Sequence, residues 1–340
     1  MRFATGRRCR CFPWALFSVF VAATLIMATD SRAATLDLVN GPVLGGIQET
    51  PDAAFELSGR WPAIVGHTYP SDSGPWCRWS AREQRRRDRD RANALTRALE
   101  NEMRGGLNTV NWRLHNFATC GNERDKSAIR FARLLPGGDL HERYLYHLDQ
   151  FRAWASKLNG PILLRPFHEF NGGWFWWGKS KSPAEFASLW RYTHEALADL
   201  DIVWVWAGSA HGALKIRKWW PGADYVDVVA TSIYSNAGGG GPDEPAILKG
   251  WDRVVDLGHE VGKPVAIAEM GFLHSGRHVD NFWTDEVLPA LMSSFRQATY
   301  FLVWRQRWQA FIPYPDDPAA ISFGALFNDR YVLTLDEVSP

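Results

Sequence analysis

The sequence is poor in cysteine and has almost no excess charge of either sign. Only four cysteines occur in 340 residues, and none stands in a Cys-x-x-Cys pair, which argues against a zinc knuckle or a redox motif. Lysines and arginines number 38 against 37 aspartates and glutamates, so the sequence lacks the basic surplus typical of nucleic-acid-binding proteins. The chain also has no internal repeat and no long glycine- or serine-rich linker, which predicts a single folded domain.

The first 33 residues have the pattern of a secretory signal peptide. Several arginines precede an apolar stretch at 13–28, and Ser31-Arg32-Ala33 forms a small-x-small cleavage site. We therefore predict a signal peptide at 1–33, a folded domain at 34–340, and a secreted or periplasmic location. The alternative is an uncleaved membrane anchor.

Cleavage after Ala33 changes both the charge and the cysteine count. It removes five arginines and one aspartate, so the formal net charge falls from +1 to −3. It also removes Cys9 and Cys11. Cys77 and Cys120 remain, and in an oxidising compartment they form either one disulfide or two separate buried thiols.

Tryptophan, in contrast, is abundant. The chain has 18 tryptophans, and three of them, Trp174, Trp176 and Trp177, occur within four residues. Some must fill the core, and two of these three are expected to be packing residues. The remaining excess is typical of proteins that bind flat, apolar surfaces such as the faces of sugar rings.

Short apolar runs alternate with helical patterns along the chain. Ser182-Pro183-Ala184-Glu185 is a capping box that predicts the start of one helix, and 281–295 is predicted to form another. Alternating strands and helices predict a parallel sheet, and eight such units in about 300 residues favour a closed (β/α)8 barrel. An open doubly wound sheet is the alternative, weakened because no Gly-x-Gly-x-x-Gly motif follows the first strand. The predicted strands lie at 43–47, 63–65, 107–114, 161–164, 202–207, 226–233, 264–268 and 300–304.

Polar and aromatic residues stand where several of these strands end. In a (β/α)8 barrel the active site forms at the carboxyl ends of the strands. Two residues are prominent because each follows a wholly apolar strand, Glu169 and Glu269. The remaining strand-end candidates are Trp112, Arg113, Arg165, His168, Tyr234, Trp304 and Arg305.

A pair of buried carboxyl groups indicates glycoside hydrolysis. One carboxylic acid gives a proton to the leaving oxygen, while the other, ionised, attacks the anomeric carbon. Their surroundings must separate the two pKa values. A loop salt bridge is the alternative explanation for either glutamate alone. No second histidine completes a His-Glu-x-x-His motif after His168, so neither a metal nor a cofactor is expected.

Two segments resemble glycoside hydrolase family 26, a family of secreted β-mannanases built on a (β/α)8 barrel. They are LLRPFHEFNGGWFWWG at 163–178 and KPVAIAEMGF at 263–272, supported by VDVVATSIYS at 226–235 and LVWRQ at 302–306. The resemblance covers most of the chain from about residue 40 and implies a hydrolase domain over 34–340. It implies a retaining endo-β-1,4-mannanase that acts on polysaccharide, without cofactor, as a monomer.

The resemblance also implies roles for individual residues. Glu169 is the expected general acid/base and Glu269 the nucleophile, with Tyr234 hydrogen-bonding the nucleophile. His168 is expected to position the acid or contact the sugar. The other expected substrate contacts are Arg165, Asn171, Trp174, Trp304, Arg305, Trp112 and Arg113.

The sequence departs from the family pattern at the third strand. The family commonly has Trp-His there, whereas Trp112 is followed by Arg113, and His115 comes two residues later. Either Arg113 takes the sugar contact or the local alignment shifts to His115. A second departure is Ser232, where an aspartate is frequent before the tyrosine.

Three further interpretations remain open. The chain could hydrolyse another β-glycan, such as a β-glucan or β-xylan. It could process a bacterial exopolysaccharide. It could also bind glycans on an inactive hydrolase scaffold, although the presence of both carboxyl groups argues against that last interpretation.

Overall fold

The computed structural model describes most of the chain after its N-terminal segment. The described residues are 41–125, 127–179, 182–235, 240–272, 279–304 and 311–338. Nine strands occur in them. These are β1 Val43–Gln48, β2 Ile64–Pro70, β3 Leu107–Arg113, β4 Ile162–Pro166, β5 Ile202–Ser209, β6 Val228–Tyr234, β7 Val265–Gly271, β8 Ala298–Val303 and β9 Val332–Leu333.

Helices follow or separate most of the strands. The helices are α1 Pro51–Ser58, α2 Ala81–Met103, α3 His141–Ala155, α4 Trp176–Lys179, α5 Pro183–Ala196, α6 Pro245–Val261, α7 Leu288–Met292, α8 Ala320–Asn328 and α9 Leu335–Val338.

The first eight strands form a closed parallel barrel. Each pairs with its neighbour in sequence, and β1 pairs with both β8 and β2, which closes the ring. Alternating helices surround it, so the predicted (β/α)8 fold is confirmed. The short β9 adds to the start of β1, with Val43 opposite Val332.

The barrel separates two layers of buried side chains. Inside it, small and medium apolar residues such as Leu163, Val205, Ala230 and Ala268 form one cluster. A much larger cluster, rich in aromatic rings, lies between the barrel and the helices. The interior is therefore a packed core.

Local details differ from the sequence-based expectations. Helix α5 begins at Pro183 as predicted, but Ser182 makes no capping hydrogen bond to it. Glu185, the expected partner in that capping box, instead accepts hydrogen bonds from Arg130 and from the Ala132 backbone. The predicted helix at 281–295 begins as a π-helical turn, Trp283–Val287, before α7. Helices α1, α4, α8 and α9 and strand β9 were not predicted.

A disulfide joins Cys77 to Cys120, which decides between the two alternatives left open by the sequence. It links the loop after β2 to the loop after β3, at the carboxyl end of the barrel. In the part of the chain that the structure describes, no helix is long and apolar enough to span a membrane. The predicted signal peptide lies outside the described residues.

Candidate active site

Glu169 and Glu269 both lie at the carboxyl end of the barrel. Glu269 is near the end of β7, where it pairs in register with Ser232 of β6. Glu169 follows β4 by three residues, and its backbone N–H donates to Ala207 O of β5 at 2.8 Å. Both side chains are buried, with 8% of Glu169 and 4% of Glu269 exposed. Two acids from distant parts of the sequence thus meet at one end of the fold.

The Glu269 carboxylate accepts three hydrogen bonds from side chains. Arg165 Nη2 and Asn111 Nδ2 donate to Oε1 at 2.8 and 3.0 Å, and Tyr234 Oη donates to Oε2 at 2.8 Å. An ionised carboxylate is an acceptor only, so this set of donors matches the charged form. The bond from Arg165 is also an ion pair, and charge-assisted bonds of this kind are the stronger ones.

Tyr234 is held as a permanent donor to this carboxylate. Burial raises the pKa of its phenol well above the ordinary value, and the charge of Glu269 raises it further. The tyrosine therefore keeps its proton throughout the physiological pH range. This contact matches the role implied by the family resemblance.

Arg165 and Asn111 act on Glu269 from inside the barrel. The Arg165 side chain is fully buried, and its Nη1 donates to Ala268 O at 2.9 Å. It therefore positions the carboxylate, and its geometry does not support the expected substrate contact. Asn111 was missed by the sequence analysis. The available signal was an amide near the carboxyl end of a predicted strand, one residue before Trp112.

The surroundings of Glu169 are different. Trp174 Nε1 donates to its Oε2 at 2.6 Å. Burial raises the pKa of Glu169 to about 7, with a further increase from the charge of Glu269. The Trp174 bond and the charge of Arg165 offset part of that rise. This carboxyl therefore keeps its proton to a higher pH than an ordinary glutamic acid.

An unusual turn presents Glu169. Phe167 and Glu169 both have positive φ values, 52° and 54°, in the left-handed region that residues with a side chain seldom adopt. Asn171 holds this turn, since its Oδ1 accepts from Ser209 N at 2.7 Å and its Nδ2 donates to Ser209 O at 2.8 Å. The structure thus gives Asn171 a positioning role, and its expected substrate contact stays a prediction. Local strain at a buried acid is typical of functional sites.

The three neighbouring tryptophans divide as expected into one exposed and two packed rings. Trp174 is 37% exposed, which leaves a face of its indole open beside Glu169. Trp176 and Trp177 are fully buried, and their indole N–H groups donate to the backbone oxygens of Leu114 and His168. These two rings support the loop after β4.

His168 is a neutral, packed histidine. Its ring lies 4.8 Å from the ring of Phe175 and 5.6 Å from that of Trp177. Burial lowers its pKa well below the ordinary value, and the positive charge of Arg165 lowers it further. Its expected contact with the sugar stays a prediction.

Strand β3 resolves the choice between Arg113 and His115. His115 is buried, with Nδ1 3.0 Å from Ser71 Oγ and Nε2 3.6 Å from Cys77 Sγ, so it is a packing residue. Arg113 has 39% of its side chain exposed and forms an ion pair with the buried Glu123. Two residues after Asn111 on the same strand, its side chain leaves β3 on the same face as that of Asn111.

Trp112 points away from the site. Asn111 faces the barrel interior, and successive side chains of a strand alternate between its faces. The Trp112 indole is fully buried and stacks on Phe151 of α3 with ring centroids 4.7 Å apart. The expected substrate contact is therefore not supported by its position, and the proposed site omits it.

Trp304 is partly buried just after β8, and its backbone N–H donates to Met270 O at 2.9 Å. This bond places Trp304 beside β7, the strand that carries Glu269. Its expected stacking on a sugar stays a prediction. Arg305 lies outside the described residues. Within the described ranges, no group of three or more histidine, cysteine, aspartate or glutamate side chains is arranged to hold a metal ion.

The fold and the two acids define a barrel with paired carboxyl groups at its carboxyl end. The sequence profile of glycosyl hydrolase family 26 matches residues 46–337, so the chain belongs to that family.

Its similar proteins include several mannan endo-1,4-beta-mannosidases. One of them, "A and B" of Caldalkalibacillus mannanilyticus, is 26% identical over 316 residues, 84% of this chain and 54% of that protein. Another, from Bifidobacterium adolescentis, is 28% identical over 277 residues, 74% of this chain and 27% of that protein. The chain thus spans about half or less of the length of these relatives.

Solved structures share the fold over most of the chain. The modular endo-beta-1,4-mannanase of Cellulomonas fimi aligns with a TM-score of 0.72 at 26% identity, covering 89% of this chain and 74% of that one. The catalytic domain of the Bacillus sp. JAMB-750 GH26 endo-beta-1,4-mannanase aligns with a TM-score of 0.75 at 24% identity, covering 90% and 91%. The latter likeness concerns the fold alone.

Proposed function

We propose that this chain is a retaining endo-β-1,4-mannanase in which Glu169 is the general acid/base and Glu269 is the nucleophile. The observation that carries the assignment is the contrast between the two carboxyl groups. Glu269 accepts bonds from three donors, including a cation, whereas Glu169 is buried with a pKa of about 7. A nucleophile must be ionised and an acid protonated, so each group suits one role.

The reaction proceeds in two displacements. First, the Glu169 proton passes to the glycosidic oxygen as the bond to the anomeric carbon breaks, and a Glu269 oxygen bonds to that carbon. Then water attacks the same carbon, gives a proton to Glu169 and releases Glu269 as a carboxylate. Loss of the charge on Glu269 in the covalent intermediate lowers the pKa of Glu169. Glu169 is then ionised when it must act as base.

The separation of the two carboxyl groups is a further part of the proposal. A retaining mechanism needs them roughly 5–5.5 Å apart, whereas an inverting one needs room for a water between them.

Trp174 and Trp304 would stack on the sugars next to the cleavage point, and Arg113 and His168 would contact the hydroxyls of these sugars.

Activity on a substrate panel tests the proposal. The purified protein is incubated with β-1,4-mannan, β-xylan, lichenan and bacterial exopolysaccharides, and the released oligosaccharides are identified. We expect internal cleavage of mannan, with the β-anomer as the first product seen by NMR. Absence of cleavage of every glycan, or an α-anomer as first product, contradicts the proposal.

A different β-glycan is the second candidate substrate. The ion pair between Arg113 and Glu123 favours it, because a guanidinium replaces the histidine common in the family. Preferential cleavage of a glycan other than mannan on the same panel would select this candidate.

The proposal also covers the cellular location and the oligomeric state of the protein. We infer export through the 1–33 segment, with a secreted or periplasmic enzyme that acts as a monomer on polysaccharide. N-terminal sequencing of the exported protein tests cleavage after Ala33, and light scattering tests the monomer.

A further inference from the structure

Trp76 is an exposed tryptophan at the same end of the barrel as the two acids. It lies in the loop that follows β2, and 37% of its surface is exposed, the same fraction as Trp174. Among the described residues, its indole Nε1 has no hydrogen-bond acceptor in the protein. Part of the indole surface is therefore accessible to a ligand, and its N–H is available as a donor.

The indole is held rigidly. Its ring meets that of Tyr146 of α3 edge-on, with centroids 5.6 Å apart. Gly74, with a φ of +55°, lets the loop pack closely, since a Cβ there would lie 3.0 Å from the Trp76 ring and 3.3 Å from that of Tyr146. The next residue, Cys77, is fixed by the disulfide to Cys120. A rigid side chain loses little conformational entropy when it binds.

A cation lies beside the ring. The guanidinium carbon of Arg143 is 5.8 Å from the centre of the Trp76 ring. Arg143 Nη1 donates to Phe117 O at 2.7 Å, and its other nitrogens have no acceptor among the described residues. Planar donors next to an aromatic face match a sugar, whose ring has apolar C–H faces and hydroxyls at its edge.

The order of the strands indicates how this group relates to the catalytic pair. Strands β2, β3 and β4 are neighbours, so the loops that carry Trp76, Arg113 and Glu169 follow one another around the rim. At the strands, β2 and β4 are roughly 10 Å apart. A glycan that reaches Glu169 past Arg113 is thereby directed towards Trp76.

We propose that Trp76, Tyr146 and Arg143 form a distal subsite that binds a pyranose ring of a β-linked glycan chain remote from the cleaved bond. This inference rests on the proposed glycan hydrolase function. It assigns to the loop after β2 a role in the preference for long chains over short ones.

A second tryptophan, at the amino end of the barrel, provides a matched control for Trp76. Trp61 precedes β2, is partly exposed, stacks on Phe55 at 4.6 Å, and has the Arg104 guanidinium carbon 4.1 Å from its ring. It repeats the combination of an indole, a second ring and an arginine at the amino end of the barrel. Trp61→Ala therefore removes a similar surface where no glycan is expected to bind.

The test compares chain lengths. We would measure kcat/KM of the wild type, Trp76→Ala, Trp76→Phe and Trp61→Ala on β-1,4-mannooligosaccharides of increasing length. In Trp76→Ala the ratio of kcat/KM for the longest to the shortest cleaved oligosaccharide should fall roughly tenfold, the usual scale for losing a tryptophan contact. Trp76→Phe should lose less, and Trp61→Ala should keep the wild-type ratio. An unchanged ratio in Trp76→Ala, or an equal drop in Trp61→Ala, overturns the proposal.

A binding measurement separates this inference from the proposed function. Affinity electrophoresis in gels containing galactomannan, glucomannan or xylan requires no catalysis, and Trp76→Ala should migrate faster than the wild type in at least one of them. If the wild type cleaves no glycan but Trp76 still governs retardation, the enzymatic proposal fails and the subsite stands. If the wild type cleaves mannan but all variants migrate alike, the subsite fails and the enzymatic proposal stands.

Discussion

One buried carboxyl group lies at the end of β7 and another follows β4, yet the side chains that surround the two groups differ. Around Glu269, three side chains donate to the carboxylate, and one of them is an arginine with no exposed surface. Around Glu169 the indole of Trp174 donates to the carboxyl, and the pKa rises to about 7. The positive charge of the Arg165 donor, more than the depth of burial, distinguishes the two groups, since both are almost inaccessible to solvent.

This contrast predicts that removal of Glu269 has the largest effect. Glu269→Ala should lower kcat on order of 10⁴-fold or more on every substrate, because no other group nearby can form the covalent intermediate. Steady-state kinetics on mannan checks this. Glu260→Ala, which removes an exposed carboxylate of α6, is the control and should leave kcat unchanged. A Glu269→Ala variant with wild-type kcat would remove Glu269 from the mechanism.

Removal of Glu169 should have an effect that depends on the leaving group. Glu169→Ala should lower kcat about 10²- to 10⁴-fold on mannan, where the leaving oxygen needs a proton. On an aryl mannoside with an acidic phenol, bond cleavage needs no proton, so that step should be slowed far less. Pre-steady-state release of the phenol measures it. Equal losses on both substrates would contradict the role of acid for Glu169.

The raised pKa of Glu169 also makes a prediction about stability. A carboxyl whose pKa rises from 4.5 to about 7 on folding contributes stability that is complete below 4.5 and is lost as the pH rises through 7. Glu169→Gln has no ionisable group at this position, so its stability should not show this decrease as the pH rises. Between about pH 4 and about pH 8, the unfolding free energy of the variant relative to the wild type should rise by at most about 3 kcal/mol.

Urea unfolding at both pH values measures this difference. Glu123→Gln is a control of opposite sign, since Arg113 holds the pKa of Glu123 below its ordinary value despite burial. Its stabilising contribution is present above the unfolded-state pKa and is lost as the pH falls. A pH-independent difference between Glu169→Gln and the wild type would contradict the raised pKa.

The smallest expected effect concerns the group around Glu269. Tyr234→Phe removes one of its three donors, and a hydrogen bond to a charged group contributes about 1.5–3 kcal/mol, so kcat should fall roughly 10- to 100-fold. Tyr331→Phe, which removes a hydroxyl that donates to Leu291 O away from the site, is the matched control. If both variants behave alike, the bond from Tyr234 is not what holds the nucleophile.

The sequence predicted the barrel from its alternating pattern and both glutamates because each follows an apolar strand. The role of Tyr234 was implied by the family resemblance. It did not predict the donors from Asn111 and Arg165, which reach Glu269 across 158 and 104 residues. Those contacts depend on which face of each strand points inwards, and a shift of one residue reverses that choice. The same uncertainty placed Trp112 at the site, whereas it packs against Phe151 on the other face of β3.

The predicted capping box of α5 was wrong for a related reason. A local motif at Ser182 predicted a reciprocal hydrogen bond, but Glu185 is engaged by Arg130, which is distant in sequence. Tertiary partners of this kind are invisible to a local pattern.

The central claim is that burial and the charge of Glu269 together raise the pKa of the Glu169 carboxyl. Carbon-13 NMR of the Glu169 carboxyl, assigned by comparison with Glu169→Gln, follows its titration directly in the wild type and in Glu269→Gln. We predict a midpoint near 7 in the wild type and a lower midpoint in Glu269→Gln, because the neighbouring negative charge has been removed. A midpoint near the ordinary value of 4.5 in both proteins would contradict the account.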